Sequence, residues 1–243
     1  MELNFDKCES ITFTNKPRPL QFSYYLGDNE LERVSDVVDL GVSVATDLSY
    51  DTHIENQCKK AARMLGFVRR ASRDFSADTL RHLYISLVRP VLEYASVVWS
   101  PHHVTKIDRL ERIQRSFLRA WCHKRREQFR KEDYIRHCRE ARIHPLYTRR
   151  QIHDLIFLHK IIRGGVNSSS LLESVYIHAP PRYNRVLRVF RPPYARIDVC
   201  LHHFCYRAQR QYCDLVARPD CHDIDIFTMS LPQFKWRICH ALF

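Results

Sequence analysis

From Asp51 onward, apolar residues return at helical spacing; before it they cluster or alternate over short runs. Ile54, Cys58, Ala61, Leu65 and Val68 recur at four-three spacing and predict an amphipathic helix. Thr52 with Glu55 fits a capping box at its start. A second helix is expected from about Ala77 to Trp99, with Leu80, Leu83, Leu87 and Val91 facing inward. Pro90 lacks an N–H and should kink or divide it. A third, from Thr105 to about Lys124, opens with the pair Thr105 and Asp108 and turns Ile107, Leu110, Ile113, Phe117 and Trp121 to the core. A fourth, Tyr147 to Arg163, should stop at Gly164-Gly165, because glycine takes the left-handed cap at no steric cost.

Residues 167–170 read as a loop, and 178–198, with two Pro-Pro pairs among arginines, as irregular. Final helices are expected around Leu201–Ala217 and Gln233–Leu242. Toward the N-terminus, Ile11–Thr14, Phe22–Leu26 and Val37–Val44 read as short strands, with a turn at Gly27-Asp28-Asn29. The pattern predicts a mainly α fold with a small antiparallel β element at the N-terminus (α+β). The segments are 1–50, 51–165 and 166–243.

Composition sharpens this picture. The chain has 243 residues, 45% of them apolar, which excludes the disordered and low-complexity classes. No apolar run reaches the ~18–20 residues a membrane helix requires, so no membrane partner is expected. The opening MELNFDKCES is acidic and polar and predicts no signal or transit peptide. Nine cysteines, an odd number, then read as free thiols in a reducing compartment, nuclear or cytoplasmic.

The net charge of +12 is unevenly placed. Residues 1–57 carry 4 basic and 11 acidic side chains, residues 58–163 carry 25 and 10, and residues 164–243 carry 10 and 6. A basic field concentrated in the middle segment favours a polyanion, since neutralised phosphates release condensed counterions. The alternative is a helical domain with solvated basic faces. At 100° per residue Lys59, Arg63 and Arg70 fall within about 40° of one another, nearly opposite the apolar stripe. Arg112, Arg115 and Arg119 share a flank of the third helix. Candidate phosphate contacts are therefore Lys59, Lys60, Arg63, Arg69, Arg70, Arg112, Arg115 and Arg119, largely indifferent to sequence. Phe67 is the candidate for base stacking, whereas Phe117 and Trp121 lie on the apolar stripe.

Other chemistry is thinly represented. Cys200, Cys205, Cys213 and Cys221 have gaps of four, seven and seven residues and no CxxC pair, so ordinary thiols are expected rather than zinc. Asp223 and Asp225 form a lone DxD, His153 and His159 carry no HExxH pattern, and no phosphate-binding glycine loop occurs.

Several stretches carry a resemblance in consistent order: MELNFDKCESITFTNK, LERVSDVVDLGVSV, HIENQCKKAARMLGFVRRASRDF, LYISLVRPVLEYASVVWSPH and IDRLERIQRSFLR. They resemble the C-terminal part of the reverse transcriptase of non-LTR (LINE-type, jockey-like) retrotransposons. Asp225-Ile226-Phe227 and Leu231-Pro232-Gln233-Phe234-Lys235 resemble that family's closing segment. The resemblance implies that 1–50 is a palm edge, 51–165 a helical thumb-like bundle and 166–243 a C-terminal extension. Lys7 then falls at the motif D lysine, and Leu40-Gly41 falls where the primer-grip hairpin lies. The implied partner is an RNA–DNA or RNA template–primer duplex.

A complete parent enzyme would use two Mg²⁺ ions about 3.5–4 Å apart, held by an aspartate and an Asp-Asp pair. This chain has no Asp-Asp dipeptide, so neither catalytic residues nor a metal are expected in it. Its opening Met occupies an internal position of the family pattern, as a truncated element would give. The expected function is that of a fragment of an RNA-directed DNA polymerase that retains its nucleic-acid-binding thumb. The rivals are a non-functional element relic and a helical module that docks on another protein.

Overall fold

The computed structural model describes residues 4, 8–14, 16, 18, 20, 22–178, 189–194, 196 and 198–243. It is mainly helical, with a few short strands in small sheets. Two compact units, 1–60 and 61–243, meet inside the first helix. Lys7 and most of the proline-arginine stretch 178–198 lie outside the described residues.

Among the described residues the first unit holds three two-stranded pairs. β2 (Tyr25–Leu26) and β3 (Asn29–Glu30) form a hairpin whose turn puts Gly27 at φ 63°, as a two-residue hairpin with glycine first requires. β5 (Asp36–Asp39) and β6 (Val42–Ala45) form a second hairpin, with Asp39 opposite Val42. This corrects the single strand expected over Val37–Val44. Leu40 at φ 45° and Gly41 at φ 81° form its two-residue turn, so the chain reverses where apolar residues had suggested continuity. Strand β1 (Glu9–Ser10) replaces the one expected at Ile11–Thr14, and it pairs in parallel with β4 (Glu32–Arg33). Only two of the three pairs are therefore antiparallel.

Helix α1 (Asp51–Ala71) buries Ile54, Cys58, Ala61, Leu65 and Val68, the stripe its sequence predicts. The expected capping box does not form there. The helix begins at Asp51, which places Thr52 inside its first turn, and Glu55 pairs with Lys59 at 3.0 Å.

The expected helix 77–99 is broken more finely than Pro90 alone suggests. α2 (Ala77–Leu83) runs into a π-helical turn (Tyr84–Val88), then α3 (Arg89–Glu93), and α4 (Ser96–Trp99) follows. Ahead of Pro90, the wide turn closes with Arg89 N–H donating to Tyr84 O. It also moves the buried stripe to Leu80, Tyr84, Val88 and Leu92, while Leu87 is exposed and Leu83 and Val91 are half-buried. Between α3 and α4 the chain leaves the helix at Tyr94, and Ala95 takes φ 51°. Trp99 is buried and donates from Nε1 to Tyr94 O at 2.7 Å, closing that bend.

Helix α5 (Val104–Lys124) begins after His103, whose side chain makes no capping hydrogen bond, so Thr105 lies inside it and Asp108 is engaged elsewhere. Phe117 stacks on Tyr84 at 4.0 Å between ring centroids. Next come α6 (Tyr134–Glu140), α7 (Leu146–Ile162) and α8 (Ser169–Glu173); α6 was not expected, and α8 occupies the expected loop. α9 (Asp198–His202), α10 (Phe204–Val216) and α11 (Leu231–Ala241) complete the unit. α7 packs against both α10 and α11 and shares one apolar cluster with them, including Leu155, Leu158, Ala208, Tyr212, Phe234 and Ile238.

Polar groups also run through this interior. Arg207 of α10 is buried and donates to both carboxylate oxygens of Asp154 at 2.7 and 2.9 Å, to His202 O and to Val97 O. One guanidinium thereby ties α7, α9, α10 and the α4 turn together.

Three histidines of this unit, His144, His153 and His203, are held below the ordinary imidazole value of 6.5, chiefly by burial. Because each folded-state value is depressed, the unfolded chain takes up protons first as pH falls. Stability is then full above pH ~6.5 and declines below it as the histidines charge. Melting curves at pH 8 and at pH 5.5 should show the lower midpoint in acid; an unchanged or higher acid midpoint would contradict this.

Candidate nucleic-acid interface

The basic stripe on α1 forms as its periodicity requires. Lys59, Lys60, Arg63, Arg69 and Arg70 are all exposed, opposite or beside the buried face. Lys59 and Lys60 fall in the 1–60 unit and the three arginines in the second. Phe67 is 56% exposed on the same helix.

The α5 flank is less uniform. Arg112 is exposed and 3.8 Å from Asp108. Arg115 is only 13% exposed in its side chain, donates to Asp108 Oδ1 at 2.6 Å and to Asp108 O, and lies over the Tyr134 ring. Its charge is committed within the fold. Arg119 is exposed, and its guanidinium lies over the Phe129 ring.

A dense cationic feature lies where α1 and α5 end. A cleft of about 930 Å³ is lined by Arg69 at the end of α1, by Ser72, Arg73 and Phe75 of the turn that follows, and by Leu80 of α2. Across it stand Arg119, His123 and Lys124 of α5, then Arg126 and Glu127. It thus unites two of the sequence candidates, Arg69 and Arg119, with three cations not singled out, Arg73, Lys124 and Arg126. The run Lys124-Arg125-Arg126 at a helix end was the available signal.

Each cation there has a definable state. Lys124 Nζ donates to Arg73 O at 2.9 Å and Phe75 O at 2.7 Å, fastening the 73–75 turn to α5. Among the described residues no carboxylate pairs with Arg69, Arg73, Arg119 or Arg126. Glu127, the cleft's one acid, is held by Arg125 at 2.8 Å, and that guanidinium lies over the Trp121 ring at 4.6 Å. Four uncompensated guanidiniums around one concavity make a strong local field for an anion.

Arg126 reaches the cleft through a strained backbone. Arg126 N–H donates to His123 O and Glu127 N–H to Cys122 O, the paired bonds that end a helix through a left-handed residue. Here that residue is Arg126, at φ 61°. α7 ends in the same way with Gly164 at φ 70°, and α6 does so with Arg142 at φ 51°. A side chain in this region costs about 1 kcal/mol or more, which glycine avoids.

Arg126→Gly and Arg142→Gly should each raise the melting midpoint by about 2–4 °C. Only Arg126→Gly should weaken binding to nucleic acid, reducing the salt slope by about 0.9. Fluorescence anisotropy beside melting curves checks both. Equal effects on binding would remove any special place for Arg126.

The remaining candidates lie apart from this cleft. Leu40 and Gly41 form the β5–β6 turn, with Leu40 84% exposed. Cys205 and Cys221 are buried, and Cys200 is exposed. Among the described residues no group of three His, Cys, Asp or Glu side chains is arranged to hold a metal ion. Asp223 is paired with Arg237, and Asp225 accepts from Phe227 N–H and Thr228 Oγ1 within its own turn. His153 faces Ser96 Oγ at 3.2 Å, and His159 is buried against Met229 O.

The group Cys122, His137 and Glu140, of which the first two are buried, also has a structural explanation. Arg130 N–H donates to His137 Nε2, so the ring proton sits on Nδ1, the atom shared by Cys122 Sγ at 3.5 Å and Glu140 Oε2 at 3.3 Å. That nitrogen has no free lone pair to accept a thiol proton, and burial pushes the Cys122 thiol up. Among the described residues, no helix is long and apolar enough to cross a membrane.

No protein-family model matches the chain, and no curated protein or solved structure shows significant similarity to it.

Proposed function

We propose that this protein binds nucleic acid through the sugar-phosphate backbone, as the thumb-like part of a LINE-type reverse transcriptase would hold a template–primer duplex. The observation that carries the reading is the cleft where α1 and α5 end, with Arg69, Arg73, Arg119 and Arg126 free of carboxylate partners. The exposed α1 arginines Arg63 and Arg70 support it by extending the basic surface along that helix, and Lys59 and Lys60 are exposed in the 1–60 unit. Guanidiniums left uncompensated repel one another and persist most readily where a polyanion supplies the missing charge. The family resemblance supplies the kind of polyanion, an RNA–DNA or RNA duplex.

The reading is one of binding: the Asp-Asp pair that the resemblance implies for a complete parent's metal site does not occur in this sequence. Any metal ions would belong to a complete polymerase. The rival is protein docking, favoured by the exposure of Tyr94, Val98 and Val104.

Anisotropy of a labelled RNA–DNA hybrid, titrated with the full chain across salt, tests the reading. Affinity should fall linearly with salt on logarithmic axes, with a slope of about −0.9 per phosphate engaged. Absent binding at low salt, or binding indifferent to salt, would refute it; the second result would favour docking.

A further inference from the structure

Phe75 occupies the turn between α1 and α2 with its side chain on the wall of the basic cleft, 52% exposed. Both its backbone groups are engaged: its N–H donates to Ser72 O at 3.2 Å, and its carbonyl accepts from Lys124 Nζ at 2.7 Å. The turn is thus held against α5 while the ring contributes little to the core. Among the described residues no other ring packs against it, whereas Phe117 and Trp121 of α5 are buried. An exposed aromatic face beside unpaired guanidiniums is the combination with which proteins hold single-stranded nucleic acid.

Cleft size points the same way. At about 930 Å³ it has room for one nucleotide, within the roughly 300–1,000 Å³ of small-ligand sites. A base pair inside a duplex offers both faces to its neighbours and has none for a side chain. Away from a duplex end, a base lying against Phe75 must therefore be unpaired.

We propose that this cleft takes one unpaired nucleotide of a nucleic-acid strand. Its phosphates lie among Arg69, Arg73, Arg119 and Arg126, and its base lies on the Phe75 ring. The proposal rests on the nucleic-acid-binding reading above and adds to it a preference for a single-stranded extension.

The test uses the full chain and four ligands: a blunt RNA–DNA hybrid, the same hybrid with a short single-stranded overhang, that hybrid with an abasic overhang, and a free nucleoside triphosphate as competitor. The overhang should tighten binding over the blunt hybrid by roughly 5- to 150-fold, the range of one aromatic–base stack. The abasic overhang keeps the added phosphates and should lose most of that gain. Phe75→Ala should reduce the gain to that of the abasic overhang with little change in the melting midpoint, and Phe75→Tyr should restore it.

Equal affinity for blunt and overhanging hybrids would overturn the proposal and leave the duplex reading standing. So would a Phe75→Ala loss shared by both hybrids, or an abasic overhang as good as the intact one. Efficient competition by the free nucleoside triphosphate would make the cleft a mononucleotide pocket instead. No binding to any hybrid at low salt would fail both readings together.

Discussion

Glu111→Ala loses about 3–5 kcal/mol of folding stability, a fall of roughly 6–20 °C in melting midpoint. Glu111 sits on α5, and its carboxylate is buried. It accepts from Leu146 N–H at 3.2 Å and Tyr147 N–H at 2.6 Å, the first two amides of α7, where Pro145 offers no capping side chain. It also accepts from the Tyr134 hydroxyl, which accepts in turn from Gln114 Nε2; Gln114 Oε1 takes the Tyr84 hydroxyl at 2.9 Å.

The nearest cation, Arg150 Nη2, stands 4.0 Å away, and neither terminal nitrogen of this buried guanidinium has a hydrogen-bond partner. Removing the carboxylate leaves two helix-end donors and a hydroxyl unsatisfied and strips Arg150 of its nearest compensating charge. Glu111→Gln retains one acceptor oxygen and should fall between. Tyr134→Phe, which removes one link, should cost about 1–2 kcal/mol. Denaturant unfolding followed by circular dichroism measures all three; a Glu111→Ala loss below about 1 kcal/mol would show that the network does not hold α7 in place.

That network also marks the limit of what the sequence discloses. The core faces of α1 and α5 are legible because an apolar period is a local property, repeated every three or four residues. Leu110, Phe117 and Trp121 are buried accordingly. Glu111, Gln114, Arg150 and Asp154 are buried as well, although their side chains alone argue for solvent. What reverses the expectation is a partner far along the chain, such as Arg207, 53 residues beyond Asp154. No window of sequence contains both.

The same reason separates Arg115 from Arg119. Both lie on one helical flank, yet Asp108, two turns earlier, claims the first and leaves the second to the cleft. Residues 84–95 fail differently. The π-helical turn moves the inward positions from Leu87 and Val91 to Val88 and Leu92, and a left-handed Ala95 then bends the chain; neither has a compositional mark. The cleft was half legible: Arg69 and Arg119 lie on helices with a readable period, whereas Arg73 and Arg126 lie in turns, where periodicity does not apply.

The combined substitution of Arg69, Arg73, Arg119 and Arg126 by alanine should lower affinity for an RNA–DNA hybrid on the order of a thousandfold at ~0.1 M salt. The log–log slope should become shallower by about 3–4. Both figures follow from one relation: each phosphate contact contributes about 0.9 to the slope, and so about 0.9 decades of affinity per decade of salt below 1 M. Alanine at Lys59, Arg63 and Arg70 should remove less than three such contacts, because Lys59 already shares its charge with Glu55 at 3.0 Å.

Arg125→Ala separates the cleft's field from mere cation number. Arg125 lies outside the cleft lining, but it holds Glu127. Its loss should free an acid to repel phosphate, weakening binding more than the loss of an exposed arginine remote from the cleft, such as Arg210. If the four-residue variant keeps its slope while the α1 stripe variant loses it, the strand tracks the outer face of α1 and the cleft is not the contact surface. Loss in the cleft variant, together with weakening by Arg125→Ala in the wild-type background alone, would place the phosphates between the ends of α1 and α5. In the four-alanine background the freed carboxylate would have no bound phosphate left to repel.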